Sequence, residues 1–252
     1  GANNTAVGSD ALLANTTGSN NVAVGFGSAD ALTTGNSNVA MGYNSLGSDT
    51  LGDRAVAIGL NALASQNFTS STDNYNIGIG YAAGAAVTTG LYNTLIGGLA
   101  GDAQTTADHN VALGVSTLTT NTKANKNVAI GSNALSIFNV TSDTDTYNTA
   151  VGYGAGAAVT TGVQNTLIGG LAGDALVDAH FNTAVGYQAL STDTESNYNT
   201  AIGYRALLVA NNTSSTNGYN VAVGADAGQA VTTGTLNTLI GGLAGDAITT
   251  AS

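Results

Sequence analysis

One pattern of apolar and polar positions recurs fourteen times along the chain. Each copy ends on a glycine: Gly8, Gly25, Gly42, Gly59, Gly80, Gly97, Gly114, Gly131, Gly152, Gly169, Gly186, Gly203, Gly224 and Gly241. The residues three and one before that glycine are β-branched or aliphatic, with Thr as the alternative, and Ala, Gly or Leu stands between them. Alternation with period two over about four residues predicts a short strand. The glycine then ends the strand, where a positive φ or close approach excludes Cβ. Three residues later every copy has Ala, Ser or Thr, mostly followed by Leu or Gly. A second short strand is expected there, across a tight turn, closing a flattened coil.

Successive glycines are spaced 17, 17, 17 and 21 residues apart, a 72-residue super-repeat shown directly by NTLIGGLAGDA at Asn93, Asn165 and Asn237. Periodicity of this kind predicts a solenoid. The fold class is therefore all-β, a parallel β-solenoid (β-roll) of 14 rungs, with residues 1–252 a single repeat domain without caps of its own. A lone rung cannot bury its Val and Ile, but the rungs above and below are expected to cover them. Flanking domains outside this segment, or end-to-end stacking, would then protect the two ends.

Four residues before the glycine stands Asn in every copy but one: Asn4, Asn21, Asn38, Asn76, Asn93, Asn110, Asn127, Asn148, Asn165, Asn182, Asn199, Asn220 and Asn237, with Ala55 the exception. Stacked rungs would place these above one another, exchanging side-chain amide hydrogen bonds as a structural ladder.

Composition narrows the class. Aromatics are only 6% of residues and Trp is absent, so small side chains must fill the core. A net charge of −11 with only 4 Lys and Arg argues against nucleic acid and anionic membranes. No Cys occurs, which excludes disulfides and thiolate metal sites. No apolar run reaches the ~18 residues of a membrane span. From four before the glycine to four after it, leaving out the second after it, no copy carries a charge. Asp30, Asp102, Asp174 and Asp246 recur at one position of the variable half. One face of the coil is thus expected to be shielded and the other wet.

Candidate chemistry is sparse, and no catalytic residue, metal ligand or cofactor is expected. His109 and His180 occupy non-equivalent positions and read as solvated loop side chains. The pairs Asp143 and Asp145, and Asp193 and Glu195, could act as general acid and base only across a cleft, and their Thr- and Ser-rich surroundings read as solvated turns instead. The 21-residue copies insert NFTSSTDNY, NVTSDTDTY and NNTSSTNGY, one loop per super-repeat. These are the candidate surface-binding loops, through Asn67, Thr69 and Tyr75, Asn139, Thr141 and Tyr147, and Asn211, Thr213 and Tyr219. Tyr beside amides and hydroxyls suits a sugar, since the ring stacks and the polar groups hydrogen-bond. The alternative is that these loops fill space between neighbouring chains. The same asparagines head N-x-T sequons.

The units NTAVGYQAL from Asn182, NTAIGYRAL from Asn199 and NVAIGSNAL from Asn127 resemble the head repeats of YadA-like trimeric autotransporter adhesins. They are equally similar to repeats of phage and bacterial tail-fibre proteins. The resemblance covers all 14 copies, although the family's common rung is shorter than 17 or 21 residues. It implies a left-handed roll, a homotrimer, and a role in cell adhesion or receptor contact outside the cell, on a bacterial surface or a virion. The partners expected are the chain itself and a cell-surface glycan or protein receptor. The alternatives are a self-stacking filament subunit and an ice- or surface-binding solenoid.

Overall fold

The computed structural model describes residues 1–211 and 215–250. The fold is the expected all-β parallel solenoid, and the described residues contain no helix. Each repeat contributes one three-residue strand ending just before its glycine. The chain forms two compact units, Gly1–Lys126 with Thr141–Thr144, and Asn127–Val140 with Asp145–Ser252. The first holds strands Thr5–Val7, Val22–Val24, Val39–Met41, Val56–Ile58, Ile77–Ile79, Thr94–Ile96 and Val111–Leu113. The second holds Val128–Ile130, Thr149–Val151, Thr166–Ile168, Thr183–Val185, Thr200–Ile202, Val221–Val223 and Thr238–Ile240. Within each unit the strands pair parallel and in register, so that Ala23, Ala40 and Ala57, for example, lie in one column. Parallel pairing of consecutive strands leaves the rest of each rung to travel round the coil and return one layer up.

The direction of the side chains corrects the sequence reading. It is the small middle residue of each strand that points inward: Ala23, Ala57, Ala129, Ala184 and their equivalents are fully buried. The Val, Ile and Thr on either side point out of the coil and are half-buried or exposed. Neighbouring rungs cover them only in part. Period two dictates that these positions share a face, and only the coil's curvature decides which face is inside.

No strand forms among the described residues at the place expected, three residues after the glycine; the further short strands, Gly52–Asp53, Thr72–Asp73, Ala124–Asn125 and Thr144–Asp145, lie elsewhere in the rung. From the glycine onward the chain makes a run of turns in which the residue four after it is left-handed even when it is Leu. Leu12, Leu46, Leu63, Leu118, Leu135, Leu190 and Leu207 have φ of 48–55°. This conformation costs roughly 1–2 kcal/mol for an L-residue. Burying a Leu side chain contributes about 1.5–3 kcal/mol in return. The turns also stack, as Leu46 N–H donates to the Ala62 carbonyl at 3.0 Å and Leu63 N–H to Ala83 at 3.0 Å. Sequence propensity does not reveal this, because Leu enters the left-handed region only when tertiary burial outweighs its strain.

Inside each unit, two positions share one volume. In seven of the ten rungs whose middle strand residue is Ala, Leu follows the glycine by four, as in Ala57 with Leu63 or Ala129 with Leu135; Ala23, Ala150 and Ala222 go instead with Ala29, Gly156 and Gly228. In NTLIGGLAGDA the order is reversed. Leu95 and Leu167 occupy the strand, and a Cβ on Gly101 or Gly173 would sit 2.8 Å from their side chains. Close packing of this kind tolerates the exchange because the total volume is kept.

The core also holds acids that were expected on the wet side. Asp49 and Asp193 are fully buried. Asp49 accepts hydrogen bonds from Gln66 Nε2 at 2.7 Å and the Gly52 N–H at 3.0 Å. Burial pushes its carboxyl above the ordinary value of 3.8, against the pull of these donors. Burial likewise raises Asp102, whose Oδ1 finds no hydrogen-bond partner. A raised carboxyl binds its proton in the folded state before the unfolded chain does. Stability is therefore greatest below pH 3.8 as far as these groups go, and is lost as pH rises through the folded pKa. The melting temperature should rise as the pH is lowered through the folded pKa towards 3.8, and Asp49→Asn should flatten that slope. A slope unchanged by the substitution would remove Asp49 as its source.

Candidate functional site

The asparagine column sets the framework on which any site is displayed. Asn182 is typical. Its backbone N–H donates to Asn165 Oδ1 at 3.0 Å, its Nδ2 donates to the Ser196 carbonyl at 2.8 Å, and its Oδ1 accepts the Asn199 N–H at 2.9 Å. The same scheme links Asn4 to Asn21 to Asn38, Asn76 to Asn93 to Asn110, Asn127 to Asn148 to Asn165, and Asn199 to Asn220 to Asn237. The ladder thus runs chiefly from side chain to backbone, with amide-to-amide contacts secondary, for example 3.3 Å between Asn165 and Asn148. Each Asn ties a strand to the rung below and to the corner 14 residues on.

At Ala55 the ladder has no acceptor to offer. Asn74 takes its place: its Oδ1 accepts the Asn76 N–H at 2.9 Å and its Nδ2 donates to the Asp53 carbonyl at 2.7 Å. The four-residue insertion of that rung therefore repairs the missing asparagine.

A second column, six residues before the glycine, escaped the sequence reading. Asn36 Oδ1 accepts the Ser19 N–H, Asp53 the Asn36 N–H, Asp108 the Leu91 N–H, Asn125 the Asp108 N–H, and Asn197 the His180 N–H. His180 belongs to it, its Nδ1 accepting the Val163 N–H at 3.1 Å, so it is not the free loop residue expected. The signal was present as an enrichment in Asn, Asp and Ser at one position.

The candidate loops lie at this corner. Asn67, Thr69, Tyr75, Thr141, Tyr147, Asn211 and Tyr219 are exposed, Asn139 is half-buried, and Thr213 lies outside the described residues. Phe68 anchors the first loop by turning inward. The tyrosines are built into a column of their own. Tyr75 stacks on Tyr92 with centroids 5.9 Å apart, Arg54 lies 5.5 Å from the Tyr75 ring, and Tyr92 meets His109 at 4.8 Å. Tyr219 stacks on Tyr198 at 5.1 Å, and Tyr198 on Phe181 at 4.8 Å. Arg54 also forms an ion pair with Asp73, across the hollow lined by Asn36, Ser37 and Asp53. Tyr75 and Tyr219 therefore each give a ring face to a neighbour in the same chain, and their hydroxyls accept from Arg54 at 3.2 Å and Asn217 Nδ2 at 3.3 Å. Asp143 and Asp145 are exposed as expected, whereas Asp193 is held in the core by the Ser196 N–H at 3.1 Å.

The larger surface is the outward side of the strands. Three columns share it: Val, Thr or Ile three before the glycine, an apolar residue one before, and the residue one after. Leu113 is 42% exposed and Ile202 38%, far more than aliphatic side chains of a sheet's core side. The third column adds Phe26, Tyr43, Leu60, Tyr81, Val115, Tyr153, Tyr187 and Tyr204, all exposed. No charged residue occurs in any of the three columns, in a chain of net charge −11. No protein family, curated protein or solved structure matches the chain. The functional reading accordingly rests on this surface and on the loops. An uncharged face repeated in successive rungs can bind another surface by exclusion of water.

Proposed function

We propose that this chain is a non-enzymatic structural and adhesive segment of an extracellular fibre, a trimeric adhesin head or tail-fibre shaft on a bacterial surface or virion. Its copies pack against one another through the outward strand face, and its corner loops face the target surface or glycan. The observation that carries this reading is the uncharged apolar face itself. Contiguous exposed apolar patches of more than a few hundred Å² mark interaction sites. With a strand spacing of about 4.8 Å and a width of four residues, each seven-rung unit carries a face of roughly 400 Å². The likeness of the rung to YadA-like and tail-fibre repeats supports the trimer.

Light scattering on the purified chain tests it. The expected mass is three times 24.6 kDa. A species of one copy at micromolar concentration would overturn the homotrimer. One feature favours a second reading, an ice- or surface-binding solenoid: Thr149, Thr166, Thr183 and Thr200 form an outward rank on four successive strands. In that case the single-copy species would depress the freezing point of water below its melting point.

A further inference from the structure

Each 72-residue super-repeat in the middle of the chain contains a double glycine on the outward face, Gly97 with Gly98 and Gly169 with Gly170. The two members of each pair stand under different constraints. A Cβ on Gly97 would lie 2.3 Å from the Gly114 carbonyl oxygen, and one on Gly169 2.4 Å from that of Gly186, so the fold itself demands these. A Cβ on Gly98 would meet nothing within 4 Å. On Gly170 it would make only ordinary contact, 3.4 Å, with the Tyr187 ring. Neither Gly98 nor Gly170 has a left-handed φ. The chain's own packing gives no reason for a missing side chain there.

One rung below each of these glycines stands a tyrosine in the same column, Tyr81 below Gly98 and Tyr153 below Gly170. Elsewhere the aromatic residues of this column pair within the chain, Phe26 on Tyr43 and Tyr187 on Tyr204. Tyr81 and Tyr153 have no ring contact and no side-chain hydrogen bond among the described residues, and at 59% and 63% they are the most exposed tyrosines. Each unit therefore carries a slot with an open ring face for one wall and bare glycine backbone for its floor. Ile96 and Leu99 flank the first glycine pair in sequence, Ile168 and Leu171 the second.

We infer that these slots are sockets for an apolar side chain of a second copy of this chain. The inference deepens the self-association reading and rests on it. Three observations select this occupant. The face is uncharged in a strongly acidic chain, which lets identical copies approach where their charged edges would repel, and it gives a charged partner nothing to pair with. Ring and socket occur together once in each unit, so every copy carries both a knob and a hole. At roughly 400 Å², the face of each seven-rung unit is of the size that marks an interaction site. A ring or aliphatic knob seated in a closed socket is the central contact expected to dominate such an interface.

The test uses the full chain in two double variants, G98L/G170L, which fills the sockets, and Y81A/Y153A, which removes their walls. Association is measured by light scattering across a concentration series, and folding by the circular dichroism spectrum well below the melting transition, since melting itself shifts with association. Both variants should keep the wild-type spectrum, since the leucines have room and the tyrosines are exposed. Both should raise the apparent dissociation constant by about tenfold or more, as loss of one buried apolar contact per slot implies. A wild-type multimer whose dissociation constant neither variant changes would overturn the sockets and leave the self-association reading standing. A wild type that stays at one copy would overturn both.

Discussion

Gly97→Ala or Gly169→Ala is expected to destabilise the protein by about 3–5 kcal/mol, while the same change one residue later leaves stability within about 0.5 kcal/mol. The contrast comes from two terms at the first glycine and none at the second. Gly97 and Gly169 have φ of 132° and 133°, outside what a residue with Cβ adopts without strain. Their added methyl would also collide with the carbonyl of the next rung's glycine. That carbonyl belongs to backbone paired in register, so relief requires two strands to part. In a stack, where each rung contacts only its neighbours, the damage falls on one rung interface and cannot be shared. Urea denaturation of the four single alanine variants checks it. Equal effects at Gly97 and Gly98 would show that the close approach does not govern this turn.

The second large effect is expected at the asparagine ladder. Asn165→Leu removes the acceptor of the Asn182 N–H and the donor to the Ala179 carbonyl, both in the buried interior. Each polar group left unpaired costs about 1–3 kcal/mol, so the substitution should lose about 3–5 kcal/mol in all. Asn74→Ala should cost about 1–3 kcal/mol, since it strands the Asn76 N–H. The chain contains the remedy. In the third 21-residue rung Asn199 itself accepts the Asn220 N–H at 3.1 Å, and Gly218 stands where Asn74 stands in the first. A Cβ on Gly218 would lie 2.2 Å from Asn199 Oδ1, so a side chain there must give way, as at Thr146, which faces Asn127 and donates to its Oδ1 at 2.8 Å. Ala55→Asn combined with Asn74→Gly should therefore recover most of what Asn74→Ala loses, whereas Ala55→Asn alone should be crowded. A double-mutant cycle measures this coupling. Additive effects would show that Asn74 does not stand in for the missing ladder residue.

The ladder illustrates how far single residues could be interpreted before the fold was known. That thirteen asparagines form a structural column followed from their spacing alone. That Asn74, Thr146 and Gly218 vary with Ala55, Asn127 and Asn199 could not, because the two positions of each pair are 19 residues apart and meet only through stacking. The loop tyrosines show the same limit. Their composition suggested ring faces open to a ligand, yet Tyr75 and Tyr219 lie against Tyr92 and Tyr198 because a solenoid places equivalent residues one strand layer apart. The acids misled for a related reason. Asp49 and Asp193 sit in a variable stretch that otherwise carries solvated charge, and only the path of the chain turns that position inward.

Repetition was the strongest information in the sequence, and by itself it determined the solenoid, the number of rungs, the strand before each glycine and the column of asparagines. A period needs no knowledge of distant contacts, since each rung is the neighbour of its own copy. What only the tertiary structure decided is orientation: small Ala inside, larger Val, Ile and Tyr outside, and Leu in left-handed turns where a second strand was expected. A pattern of period two is symmetric about the strand and marks two faces without naming the inner one. The curvature of the closed coil breaks that symmetry, because the narrow interior admits the methyl of Ala beside the Leu of the opposite wall and leaves the bulkier residues to face outward.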